Sequence, residues 1–220
     1  MNKKIAVFDL DGTLIDAYAV VAKTFNYALE KLGYPAVSYE TVKRAVGGGD
    51  RDLAGKFVKQ EDIPRLISVY RGNHIRFFNE GIKLMEGCED MLAYLKGNEL
   101  TVGMATNRAG FAVKALLEKL NIRQYFDIIC TADDVKNPKP HPDMLIRIMD
   151  FCNVRNKDDV FYVGDMDIDY YTGRNAGIDT YIVATGSSLK ETLEKLDDIR
   201  LFDNLVTLKK YLTGGSNGNS

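Results

Sequence analysis

The spacing of apolar positions changes character along the chain. Residues 5–8, Ile5-Ala6-Val7-Phe8, form a short unbroken apolar run, as in a strand buried on both faces, and predict a strand over 4–9. From residue 17 the spacing becomes helical. Val20, Val21, Phe25, Ala28, Leu29 and Leu32 fall on one face and predict a helix over 17–32. Gly33-Tyr34-Pro35 stops it, and Ser38 is placed to cap a second helix over 39–46. Gly47-Gly48-Gly49 breaks that helix, Asp50 is placed to cap a third, and another is predicted over 63–78.

After residue 82 helices and strands alternate. Helices are predicted over 88–96, 109–120, 142–152 and 167–176, and strands over 100–105, 126–130 and 160–163. A last core strand is expected over 180–183. Such alternation predicts an α/β fold, with helices on both faces of a parallel sheet. A helical block of about 65 residues is thus inserted between the first strand and the rest. Placed there, it would close over the end of that strand as a lid; the plainer alternative is permanent packing as extra core.

Composition narrows the function. The chain has 220 residues, long enough for one large or two modest domains. Its 45% hydrophobic and 27% charged content is that of a soluble globular protein. A net charge of -2 argues against a nucleic-acid footprint. Cys88, Cys130 and Cys152 are odd in number and widely spaced, which favours thiols over a disulfide framework. Two histidines and no Cys-x-x-Cys argue against structural zinc. The first apolar run is too short for a signal peptide, nothing approaches a membrane span, and a cytoplasmic location is the default expectation.

The chemistry begins where the first strand ends. Asp9 and Asp11, in FDLDGT, lie two apart, so on an extended strand they share a face and can point into one cavity. Gly12 permits a sharp turn there. Ligands of open parallel sheets bind beyond the carboxyl ends of the strands. The other strand ends bring Thr106-Asn107-Arg108, Gly164-Asp165 with Asp169 beyond it, and Lys139 just ahead of a helix. Thr106 and nearby backbone N–H groups would hold phosphate oxygens, although Thr106-Asn107 would also serve as a helix cap. Lys139 sits between Pro138 and Pro140, which limit how its loop moves. Asp167 and Asp169 would equally suit the first turn of a helix.

Charge requires a cation at such a site. Asp9, Asp11, Asp165 and Asp169 carry four negative charges, and Lys139 returns one. A phosphate dianion would not enter without Mg2+, which takes one or two carboxylates and keeps waters. For substrate choice the loop from Val46 through Gly48 to Asp50-Arg51 is the candidate, with Arg51 able to meet a second anion or simply to be solvated.

Together FDLDGT, MATN, NPKPHPD and VGDMDID with a downstream GRNAG resemble the four ordered motifs of the haloacid dehalogenase-like superfamily, over roughly residues 4–186. Within it the chain is most similar to the phosphoglycolate phosphatase-like branch with a helical cap of the first type. The resemblance implies a Rossmann-like parallel sheet core at 1–15 and 82–213, with the first strand in the middle. It also implies an inserted α-helical cap at 16–81; residues 214–220 read as a disordered tail. By that resemblance Asp9 is the nucleophile, Asp11 the general acid/base, and Thr106 and Asn107 phosphoryl ligands. Lys139 would be the balancing cation. Asp9, Asp165, Asp169 and the Asp11 carbonyl would serve the magnesium, Asp169 partly through water.

Two departures stand out: Met166 replaces the usual Ser or Thr after the first acid of the last motif, and Arg108 replaces a common Lys. The implied activity is magnesium-dependent hydrolysis of a small phosphorylated metabolite through an aspartyl-phosphate, by a monomer or homodimer. Alternatives are a β-phosphoglucomutase-like phosphomutase, a dehalogenase, or a catalytically silent binding module on the same fold.

Overall fold

The computed structural model describes residues 3–78 and 81–214. Strand β1 (Ile5–Phe8) is followed by a two-residue strand β2 (Ile15–Asp16) and four helices: α1 (Tyr18–Lys31), α2 (Tyr39–Ala45), α3 (Asp50–Gly55) and α4 (Ile63–His74). The chain re-enters the core through β3 (Lys83–Leu84), which pairs antiparallel with β2. Then come α5 (Cys88–Gly97), β4 (Thr101–Thr106), α6 (Gly110–Lys119), β5 (Ile128–Thr131) and α7 (Asp143–Phe151). The remaining elements are β6 (Val160–Gly164), α8 (Asp167–Ala176), β7 (Asp179–Val183), α9 (Lys190–Leu193), β8 (Leu201–Phe202) and α10 (Leu205–Leu212).

Six strands form one parallel sheet in the order β5-β4-β1-β6-β7-β8. The first strand is therefore interior, and all four of its side chains are buried. Alternation assigns them to opposite faces. Ala6 and Phe8 join the cluster formed with α5, α6 and α10, whereas Ile5 and Val7 join the cluster formed with α7. Burial of each large side chain is worth about 1.5–3 kcal/mol, which fixes the register of this strand and so the position of the acids that follow it.

Helices α1–α4 bury a separate apolar cluster built on Val21, Phe25, Leu29, Val42, Leu53, Leu66 and Tyr70. Ser38 accepts a hydrogen bond from the Thr41 N–H and caps α2. At α3 the cap position is Gly49, with φ 86, rather than Asp50, because the Gly-rich loop enters the helix through a left-handed turn. Asp50 instead lies in the first turn and pairs with Arg71 at 2.6 Å.

The expectation that 180–183 is the last core strand is corrected by β8, which lies parallel to β7. Two residues are too short to show alternation. Strands β2 and β3 escaped the pattern for the same reason. The expected tail lies, beyond Gly214, outside the described residues. Among the described residues, no helix is long and apolar enough to cross a membrane.

Candidate active site

The carboxyl ends of β1, β4 and β6 meet at one pocket. Asp9, Asp11, Thr106, Asn107, Lys139 and Asp169 line it from the sheet side; Tyr18, Gly47, Gly49, Asp50, Leu53 and Tyr70 line it from the helical side. Its cavity of about 70 Å³ suits a small ligand, since one water needs about 10–15 Å³ on this measure.

Lys139 is the centre of the polar network. Its Nζ donates to Asp9 Oδ1 at 2.6 Å, to Asp169 Oδ1 at 2.7 Å and to the Tyr162 hydroxyl at 2.9 Å. These three contacts use every proton of the ammonium. Burial works against its charge, but Asp169 and Asp9 outweigh that and hold its pKa above the usual lysine value. Burial, then the neighbouring Asp169 and Asp11, push Asp9 up to about 7 in spite of Lys139. Asp165 is raised well above the ordinary carboxylate range, first by burial and then by Asp169 and Asp9.

Oxygens of Asp9, Asp165 and Asp169 lie within 4.8 Å of one another, and all three residues are buried. An all-oxygen set of this kind fits magnesium. The hydrogen bonds separate the three by role. Asp169 Oδ1 accepts from Lys139 and Tyr162, and its Oδ2 accepts from the backbone N–H groups of Asp165 and Met166. A carboxylate has about four acceptor sites, so Asp169 is fully occupied as an anchor of the loop and of Lys139. Proximity alone would count it as a metal ligand; the occupied lone pairs argue for support. Asp9 retains Oδ2, and Asp165 Oδ1 accepts from Thr13 at 3.1 Å.

Gly12 holds the turn after Asp11. Its φ is +89, and an added Cβ would collide with Asp165 Oδ2. A side chain there meets both strain and the Asp165 carboxylate.

Thr106 is buried and its Oγ1 accepts the Arg108 N–H at 3.2 Å, which leaves its own proton to donate. The Asn107 side chain is committed to structure. It donates to the Gly47 carbonyl and the Lys139 carbonyl and accepts from the Lys139 N–H, tying the Gly-rich loop to the lysine loop. The structure does not bring Arg51 or Gly48 into the pocket lining; both are exposed, and the loop contributes Val46, Gly47, Gly49 and Asp50.

Several residues at the site had no role assigned from the sequence. Arg108 Nε and Nη2 hold Asp11 Oδ2 and Oδ1 at 2.7 and 2.6 Å, and its Nη1 donates to His74 Nε2. Burial opposes the guanidinium charge, and Asp11 reverses that, raising its pKa. His74, at the end of α4, is driven down to about 2 by burial and by Arg108 and is therefore neutral. Tyr18 and Tyr162 flank the acids, and no local spacing points to either. The departure from Lys at 108 was the only available pointer.

Known proteins resemble this chain over most of its length. The family model for haloacid dehalogenase-like hydrolases matches residues 6–183. The phosphoglycolate phosphatase of Shigella boydii is 30% identical over 211 residues, covering 85% of this chain and 83% of that protein. The phosphoglycolate phosphatase of Salmonella typhimurium is 28% identical over 231 residues, covering 94% and 91%. A haloacid dehalogenase-like family hydrolase from Streptococcus pneumoniae superposes with a TM-score of 0.84 at 20% identity, covering 96% of this chain and 99% of that one, and so shares the fold.

Proposed function

Because the chain belongs to the haloacid dehalogenase-like hydrolase family, in its phosphoglycolate phosphatase-like branch, we propose that it hydrolyses a small phosphomonoester, phosphoglycolate-like or a sugar phosphate, through an aspartyl-phosphate on Asp9. The observation that carries this reading is the Asp9 carboxylate. One oxygen is fixed by Lys139 at 2.6 Å, and the residue lines a pocket shared with Asp11 and Thr106. Residues 16–81 act as the cap that excludes bulk water, and Gly47, Gly49 and Leu53 furnish its share of the wall.

Asp9 attacks phosphorus as the ester P–O bond breaks, and the departing alkoxide takes a proton from Asp11, which enters this step as the neutral acid. Asp11 then removes a proton from the water that attacks the aspartyl-phosphate, releasing phosphate and regenerating Asp9. Acid/base help of this kind is worth about 10²–10⁴ in rate. Thr106 donates to the transferring group, and Lys139 balances the charge spread over it. Asp9, Asp165 and the Asp11 carbonyl would hold magnesium, with Asp169 supporting the loop. Four carboxylates against Lys139 and Arg108 leave two negative charges, the charge of one divalent cation. When bound, magnesium supplies the positive charge that keeps Asp9 ionised and admits a phosphate dianion.

The test is Asp9→Asn assayed with magnesium and p-nitrophenyl phosphate. Turnover should vanish, and no labelled phosphate should attach to the variant. Wild-type-like turnover by the variant removes the nucleophile assignment.

A further inference from the structure

The proposed chemistry conflicts with one feature of the site. Asp11 must exchange protons with alkoxide and water, yet both of its oxygens are held by a single guanidinium, at 2.6 and 2.7 Å. Arginine offers only donors and does not give up its charge. While that fork is closed, the Asp11 oxygens face Arg108 rather than a substrate. Something must compete for the guanidinium when a substrate binds.

The surroundings of Arg108 indicate what competes. The residue lines the pocket, and its side chain is only 9% exposed. Three of its five N–H groups have recorded partners, which leaves two for a ligand. Its other partner, His74, is an imidazole fixed between the rings of Tyr70 and Phe78. Because His74 accepts at Nε2, its proton sits on Nδ1, and that atom is buried with no partner. An unpaired buried donor costs about 1–3 kcal/mol, and the arrangement keeps a neutral acceptor against the guanidinium. A neutral neighbour orients the fork without cancelling its charge. Among the described residues Asp11 is thus the one anion hydrogen-bonded to it, and an anion of the same shape would replace it.

We propose that Arg108 is the specificity-determining residue of this enzyme: it binds a carboxylate on the leaving-group side of the phosphoester, exchanging Asp11 for it and so releasing Asp11 toward the reacting oxygen. This rests on the phosphatase reading and deepens it. Planar carboxylate matches the fork bidentately, and the small cavity favours an acid group only a few atoms from phosphorus. A neutral ester of the same size leaves the Arg108–Asp11 pair closed and turns over poorly.

The experiment compares 2-phosphoglycolate with 2-hydroxyethyl phosphate, which differs by the loss of the carboxylate, under saturating magnesium. Wild-type kcat/KM should favour the acid by about 10²-fold, the discrimination expected of a buried charged pair. Most of the preference should appear in kcat, because release of Asp11 is a catalytic effect. Arg108→Gln should bring the ratio close to one; Arg108→Lys, a point charge without the fork, should restore only part of it. Should the glutamine variant not fold, the wild-type protein still decides. Glycolate should then inhibit hydrolysis of 2-hydroxyethyl phosphate, whereas ethylene glycol should not. Equal turnover of both esters by the wild type, an unchanged ratio in Arg108→Gln, or equal inhibition by the two alcohols overturns the role of Arg108 and leaves the phosphatase reading standing. Hydrolysis of neither ester overturns the role of Arg108, and absence of p-nitrophenyl phosphate turnover as well overturns both.

Discussion

Replacing Lys139 with Met tests whether one ammonium holds the acidic cluster together. Its Nζ lies 2.6 and 2.7 Å from two carboxylates, and its side chain is 3% exposed. At an effective dielectric of about 20, each contact is worth about 6 kcal/mol of attraction, offset by several kcal/mol of desolvation per ion. The net loss on removing one partner of such a buried group is about 3–5 kcal/mol. The sign of its pH dependence follows from Asp9, whose pKa is raised from 3.8 to about 7. A raised acid contributes stability that is complete below its unfolded value and is lost as pH climbs through its folded value. Met removes the group that holds Asp9 down, so the fall with pH should steepen. Urea unfolding with chelator present should therefore show the full 3–5 kcal/mol deficit near pH 8. Near pH 5 Asp9 can take up a proton, and the deficit should shrink toward that of ordinary buried hydrogen bonds, about 1–2 kcal/mol. A deficit below about 1 kcal/mol at pH 8, or one equal at both pH values, refutes the charge-balance reasoning.

Two further outcomes follow from the same acids. Magnesium should displace protons from Asp9 and Asp165, so its affinity should fall as pH drops below about 7, by up to about tenfold per pH unit for each proton released. Calorimetric titration in buffers of different ionisation enthalpy measures this directly, and a binding heat that ignores the buffer contradicts it. Magnesium should likewise raise the melting temperature more at pH 8 than at pH 5, because the metal-free protein loses stability over that interval. Gly12→Ala forces a side chain into φ +89 and against Asp165. It should cost about 1–3 kcal/mol and move the magnesium concentration needed for half-maximal turnover upward. Unaltered metal dependence would show that Asp165 is not where magnesium is held.

How much of this was legible depended on whether a residue announces itself locally. Strand β1 did, because both of its faces are buried and no polar residue interrupts Ile5 to Phe8. The acids at its end stood out because carboxylates do not close buried strands without a reason. Helix α1 was readable from the spacing of Phe25, Ala28 and Leu29, all buried. Strands of two residues, β2, β3 and β8, carry no period to read. Asp169 kept two readings open in the sequence, metal support and a helix-start acid; it accepts from the Met166 N–H as a helix-start acid, and it also fixes Lys139, which neither reading anticipated. In the sequence Arg51 was the candidate anion reader, and Arg108 stood out only as a departure from Lys. Only tertiary placement separates them: one is exposed on α3, the other buried against Asp11 and His74. Those contacts span 97 and 34 residues, beyond the reach of any local rule.

The connectivity explains why the two aspartates are governed differently. Asp9 is held by Lys139, which reaches it from the loop before α7, entirely within the sheet-bearing unit. Asp11 is held by Arg108, and Arg108 is in turn held by His74 from α4, in the helical unit. That unit is inserted directly after the acid-bearing turn and returns through β3, so both of its connections lie beside β1 rather than at a sheet edge. A displacement of α4 would therefore act on the surroundings of Asp11 directly, and on the Asp9–Lys139 pair only through the Asn107 link between the Gly47 loop and the lysine loop. On the proposed mechanism the nucleophile is thereby held chiefly by the core, and the acid/base by groups between core and helices. Substrate selectivity then belongs in the second step of that division, which is where a buried arginine with two unused donors is found.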